Sequence, residues 1–216
     1  LAWLRLLEDS PVYSARMKLQ EISLEKNGAR LPALGRIADL SSLTFPQVQE
    51  WKDRMMNPAQ LQIVVAGPLA APAVVALIQA RFGAWSSRPF SRETDPVEPE
   101  FRPEARTTLE HPLAFQDRVF LGYRIPSAAH AAFPALRLLI AALTSGRFSL
   151  LAQEWVGPGL VNIVEGSVDE GRDSGLLKIT ASLGPLATPD AVIGKLDELV
   201  KRVLDPAFDW TPVLEN

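Results

Sequence analysis

The sequence predicts an α+β chain, a two-layer structure in which helices pack on one face of an antiparallel sheet, and three observations point to it. The runs 160–168 and 176–183, rich in β-branched and aliphatic residues, flank an acidic, glycine-containing turn (DEGRDSG), the pattern of an antiparallel hairpin. The stretch 188–203 is the clearest helix in the chain: Thr188 is a capping residue, Pro189 suits the first helical position, and Val192, Ile193, Leu196, Leu199, Val200 and Val203 form one stripe. No Gly-x-Gly-x-x-Gly follows a strand and no phosphate loop is present, which removes a doubly wound dinucleotide fold.

The remaining elements follow in order. Leu4, Leu6 and Leu7 before Pro11 predict a helix end, and Val12, Met17, Leu19, Ile22 and Leu24 predict a second helix stopping near Asn27-Gly28. Thr44-Phe45-Pro46-Gln47 is a helix start, because Gln47 stands where its side chain reaches back to Thr44 and proline is tolerated in a first turn. That helix should run to about Met56, where Asn57-Pro58 breaks it. The β-branched run 61–66 (LQIVVA), ended by Gly67-Pro68, is expected as a buried strand. A helix opened by Pro72 keeps helical spacing through Val74, Val75, Leu77, Ile78 and Phe82 up to Gly83. Five prolines among charges between Ser86 and Pro112 give linker composition, so the expected parts are 1–86, a linker at 87–112, and 113–216. Beyond the linker, 117–125 (DRVFLGYRI) is a strand, 131–143 an apolar helix closed by Ser145-Gly146, and 148–155 a short helix.

Composition excludes several function classes. With 216 residues and 47% hydrophobic content there is enough apolar material for a substantial core. The longest apolar stretch, 133–143, contains Arg137 and falls short of the roughly 18 residues of a membrane span. A net charge of −3 with intermixed signs makes no field for phosphates, so nucleic acid is not expected as a partner. The absence of cysteine removes disulfides, thiolate metal sites and cysteine nucleophiles, and fits either a cytoplasm or a bacterial periplasm. The chain starts at Leu1 rather than Met with no signal-like segment, and is expected to be a processed or excised piece.

The residues describe no reaction centre. The only histidines, His111 and His130, lie apart, one in the linker and one at a helix start, and a zinc hydrolase needs closely spaced nitrogen ligands with a carboxylate between them. The acidic pairs Glu8/Asp9, Asp169/Glu170 and Asp197/Glu198 are adjacent acids that diverge on a helix and are ordinarily solvated. The five tryptophans are scattered, and packing is their default role.

Four stretches together carry a family resemblance. LGRIADLSSLTFPQVQEWKDRMMNPAQLQIVVAGPL, VVALIQARFGAW, FQDRVFLGYRIPSAAHAAFPALRLLIAALTSGRFSLLAQEW and SGLLKITASLGPLATPDAVIGKLDELVKRV follow, in order from about Pro11 to Val203, the segment order of the pitrilysin/insulinase-type (inverted zincin) metallopeptidases, and the chain resembles an inactive-domain segment of a bacterial zinc protease of that type. The resemblance implies two related α+β halves joined by the proline-rich linker, here the later part of one and the first part of the next. It places the family's His-x-x-Glu-His zinc motif upstream of Leu1, if the parent carries it.

Two family positions can be read on this chain. The third zinc ligand, a glutamate about eight residues before a proline matching Pro11, falls at Trp3, and indole does not bind zinc; Glu8 is the nearby carboxylate if the match slips. The arginine and tyrosine that hold the substrate backbone and the oxyanion fall at Trp155 and Asn162. These two are the candidate substrate-binding residues; the alternative, favoured by the bulk of indole, has Trp155 packing and Asn162 at an ordinary strand end. No residue is assigned to catalysis or to metal.

The resemblance thus implies a non-catalytic segment of a zinc metalloendopeptidase-family protein, inactive on its own. It would help enclose and bind unfolded peptide, pair with a zinc-bearing homologous domain or subunit in a dimeric parent, and hold no cofactor, zinc residing only in the catalytic domain or partner. Alternatives are a purely structural homologue that cleaves nothing and an unrelated α+β interaction module.

Overall fold

Strand β1 (Arg118–Pro126), buried at Val119 and Ile125, is the first of three strands in a computed structural model that describes residues 2–86, 98–99 and 104–214. β2 (Val161–Asp169) and β3 (Ser174–Leu183) form the expected hairpin, and β3 lies in the centre of an antiparallel sheet of order β1-β3-β2. The register sets Phe120 opposite Thr180 and Val164 opposite Ala181, so successive side chains alternate between the two faces.

One face carries the core. Val119, Ile125, Leu177, Ile179, Ala181 and Leu183 are buried against the helix Phe133–Thr144, the turn of π-helix Ala152–Val156 and the helix Pro189–Val203. Numbered with the five helices that precede them, the first and last of these are α6 and α7. Two short helices open the chain, α1 (Ala2–Glu8) and α2 (Pro11–Ser23). Three more, α3 (Ile37–Ser42), α4 (Phe45–Met55) and α5 (Ala71–Phe82), follow before the sheet, and α8 (Thr211–Leu214) comes after α7. Thr188 Oγ1 accepts the Ala191 N–H at 3.3 Å and starts α7 as expected. Its stripe buries Val192, Leu196 and Leu199 almost completely, worth about 1.5–3 kcal/mol each. Gly146, at φ +80°, ends the α6 region in a conformation glycine adopts freely.

α2 lies against the second face of the sheet, at β1. Gly122 permits this approach, because a Cβ there would come within 3.1 Å of Leu19 and 3.0 Å of Ser23. The helix ends at Ser23, earlier than expected, because Leu24 turns extended (φ −114°, ψ 140°) and the chain passes through Glu25–Asn27 before a short 3-10 turn, Gly28–Arg30.

By packing, the chain divides into two units: Leu1–Gly35 with Asp95–Asn216, which bears the sheet, and Arg36–Thr94, which bears α3, α4 and α5. In the second unit Gln47 Oε1 accepts the Thr44 N–H at 2.8 Å, the predicted capping contact. None of its three helices contains a buried residue. The expected strand 61–66 is a correction. The segment carries no ladder partner among the described residues, and Val64 is 80% exposed. A β-branched run becomes a strand only where a neighbour meets its N–H and C=O groups, and none does among the described residues of this unit. Most of the predicted linker 87–112 lies outside the described residues.

Candidate peptide-binding cleft

The sheet-bearing unit holds a cleft of about 1060 Å³ along the outer edge of β1. α2 supplies one wall through Val12, Ala15, Leu19 and Ile22, and α7 another through Pro189, Ile193 and Asp197. The irregular segment 104–117 closes the far side with Leu109, Leu113 and Phe115. Arg118 to Phe120 and Gly122 to Arg124 line the floor. Among the described residues β1 is paired on one side only, so its other edge faces the cleft with backbone groups able to accept an added strand. Arg106 and Asp190, 2.5 Å apart, tie the segment 104–117 to the start of α7.

Tyr123 stands out electrostatically. Burial, then the carboxylates of Asp197 and Glu104, push its phenol above the ordinary tyrosine value, because all three disfavour a phenolate. It is therefore a standing O–H donor within the cleft. A smaller groove of about 410 Å³ lies where α2 leaves the second face uncovered, between Arg16, Thr144, Glu165 and Lys178. Arg16 and Glu165 pair across it at 3.7 Å, both exposed, an arrangement of small energetic weight.

The residues singled out in the sequence lie elsewhere. Trp155 is fully enclosed in the core, in the π-helical turn, where its indole N–H is buried without a hydrogen-bond partner. Asn162 sits at the irregularity where β2 shifts register between Val161 and Ile163, and its side-chain amide donates to the Leu183 carbonyl at 3.0 Å. Neither lines the cleft. Trp3 is 62% exposed on α1.

The donor set does not fit zinc. His111 Nδ1 accepts the Leu113 N–H at 3.2 Å and His130 Nδ1 accepts the Ala132 N–H at 3.1 Å, so each ring closes a local turn. Among the described residues no three of His, Asp or Glu converge as a metal site. Of the acidic pairs, Asp169 meets Lys178 at 2.5 Å, Glu170 meets Arg137 at 3.6 Å and Glu198 meets Lys195 at 3.0 Å. Asp169, Glu170 and Glu198 are therefore ion-pairing partners.

The family model for the peptidase M16 inactive domain matches residues 42–209. The chain belongs to this family. An uncharacterised zinc protease of Mycobacterium bovis is 32% identical over 160 residues, covering 71% of this chain and 36% of the relative, so the chain spans about a third of that protein. A protease from Helicobacter pylori superposes with a TM-score of 0.78 at 18% identity, over 95% of this chain and 51% of that one. The M16 inactive domain from Pseudomonas fluorescens gives 0.78 at 16% identity, over 98% and 51%. A chain of complex III2 from Candida albicans gives 0.78 at 13%, over 99% and 52%. At these identities the three structures are likenesses of fold. Family membership confirms the resemblance and removes the unrelated interaction module. Among the described residues no helix of this M16 chain is long and apolar enough to cross a membrane.

Tyr123, Asp197 and Glu104 are not legible as a group, since they lie far apart in sequence and come near one another only where β1, α7 and the segment 104–117 line the same cleft. The one local sign is Tyr123 itself, a phenol hydroxyl within strand β1.

Proposed function

We propose that this M16 chain is a non-catalytic part of a zinc metallopeptidase, which binds unfolded peptide and pairs with a zinc-bearing homologous domain or subunit. The observation that carries peptide binding is the edge of β1 that is unpaired among the described residues and opens into an apolar-walled cleft. Main-chain hydrogen bonds along a strand edge tolerate varied sequences, and the walls supplied by α2, α7 and the segment 104–117 would take alternate side chains. Tyr123 would donate to a peptide carbonyl. Trp155 would act on this site only by holding the core behind it, and Asn162 by fixing the start of β2.

Pairing is supported by the unit Arg36–Thr94. Its helices expose Phe45, Trp51, Val75 and Leu77, and the extended run 61–66 has no ladder partner among the described residues. Apolar surface and open backbone together call for another α+β layer, in the same polypeptide or another. Zinc and its chemistry would reside in that partner.

Fluorescence anisotropy with a labelled unfolded peptide tests the binding. The chain should bind it, and Leu109→Asp in the cleft wall should weaken binding by about tenfold or more, since a charge there opposes an apolar side chain. Absence of binding, or equal binding by the variant, would remove the cleft from the account.

A further inference from the structure

Glu98 is a carboxylate held in a built cup. Its Oε1 accepts the N–H groups of Glu25 at 3.0 Å, Lys26 at 2.7 Å and Asn27 at 2.5 Å. Its Oε2 accepts the Glu25 N–H at 2.9 Å and Arg124 Nη1 at 3.2 Å. The cup arises from the way α2 ends. Once Leu24 turns extended, three successive N–H groups converge on one side of the chain, and Asn27 Oδ1 holds the turn by accepting the Ala29 N–H at 2.8 Å. Consecutive N–H groups aimed at one point make an anion nest, and Arg124, from the second face of β1, adds the full charge.

The burial of this pair separates it from the other ion pairs. The side chains of Glu98 and Arg124 are 5% and 16% exposed, whereas in every other ion pair among the described residues at least one partner is more than a third exposed. Without Glu98, three N–H donors would lose their shared acceptor.

We propose that the backbone of Glu25–Asn27 and the guanidinium of Arg124 form a carboxylate-binding site, which Glu98 occupies as a tethered ligand and which thereby latches Glu98 to the end of α2 and to β1 within the sheet-bearing unit. The latch lies six residues before Glu104, where the lining of the cleft begins. Its ligand class is a carboxylate, since both oxygens are engaged from different sides.

Chemical rescue tests the site on the full chain. Glu98→Ala should lower the melting temperature and reduce hydrogen-exchange protection of the Glu25, Lys26 and Asn27 amides by about tenfold or more. Sodium acetate should restore both in a saturable manner that sodium chloride at equal ionic strength does not match. Wild type, whose cup is filled, and the double variant Glu98→Ala/Arg124→Ala should show no such response. Equal effects of acetate and chloride, or acetate stabilising wild type as strongly, would overturn the proposal. If Glu98→Ala does not fold, Glu98→Gln serves: the neutral amide should lower protection of the same three amides, and unchanged protection would overturn the proposal.

Discussion

The side-chain amide of Asn162 donates to the carbonyl of Leu183 at 3.0 Å, across the point where the β2–β3 ladder loses its register. Gln116 Nε2 reaches the same carbonyl at 3.2 Å, so two side chains stand in for the missing ladder contact. Asn162→Ala should cost about 1 kcal/mol in urea denaturation, the usual net value of one such bond. Asn162→Asp should cost more, because a carboxylate would then face a carbonyl oxygen.

Trp155 is the largest fully buried side chain of the core, and Trp155→Ala should destabilise the chain by about 3–5 kcal/mol. Its N–H has no partner, so Trp155→Phe loses packing but no hydrogen bond and should cost markedly less. Denaturant midpoints of the two variants separate the contributions.

Gly166 faces α6, where an added Cβ would lie 2.5 Å from Thr144 Oγ1 and 2.6 Å from Ile140 Cδ1. Gly166→Ala should therefore destabilise the chain by about 1–3 kcal/mol through overpacking, read from thermal unfolding.

The expected hairpin, the cap of α7 and the capping contact of α4 were all legible because each depends on residues close in sequence. The run 61–66 has the composition of a strand because β-branched residues report suitability for a sheet, while the ladder itself depends on another segment. The cup around Glu98 was hidden for a related reason: its donors are main-chain N–H groups about seventy positions earlier, which no side-chain pattern displays. The burial of Trp155 in the core is legible from the bulk of its indole, whereas the substrate-binding assignment rests on the family resemblance alone.

The pH dependence of the latch has a definite sign. Burial raises the Glu98 carboxyl, but the N–H groups of Asn27, Glu25 and Lys26 and the charge of Arg124 outweigh it and hold the group below the ordinary glutamate value. Arg124 faces it from β1; Glu25 and Lys26 flank it on the loop. A folded value below the unfolded one gives stability that is present above the unfolded value and lost as pH falls through the folded one. The stability gap between wild type and Glu98→Gln should accordingly narrow in acid, as measured by urea midpoints across pH.

Tyr123 carries the opposite sign. Its folded value lies above the unfolded one, so its contribution is present below the unfolded value and fades as pH rises through the folded one. Asp197→Asn removes one of the two carboxylates responsible, and ultraviolet titration of the phenol should show ionisation at lower pH than in wild type.

The central claim is a binding part without chemistry of its own, and one assay addresses it directly. A quenched unfolded peptide is incubated with a zinc-bearing M16 partner from the same source, with this chain, and with both. The account predicts zinc-dependent cleavage that rises when the chain is added to the partner, no cleavage by the chain alone, and less than stoichiometric zinc on the dialysed chain. No gain over the partner alone would contradict a substrate-binding role and leave a purely structural one, and cleavage by the isolated chain with one equivalent of zinc would contradict the account outright.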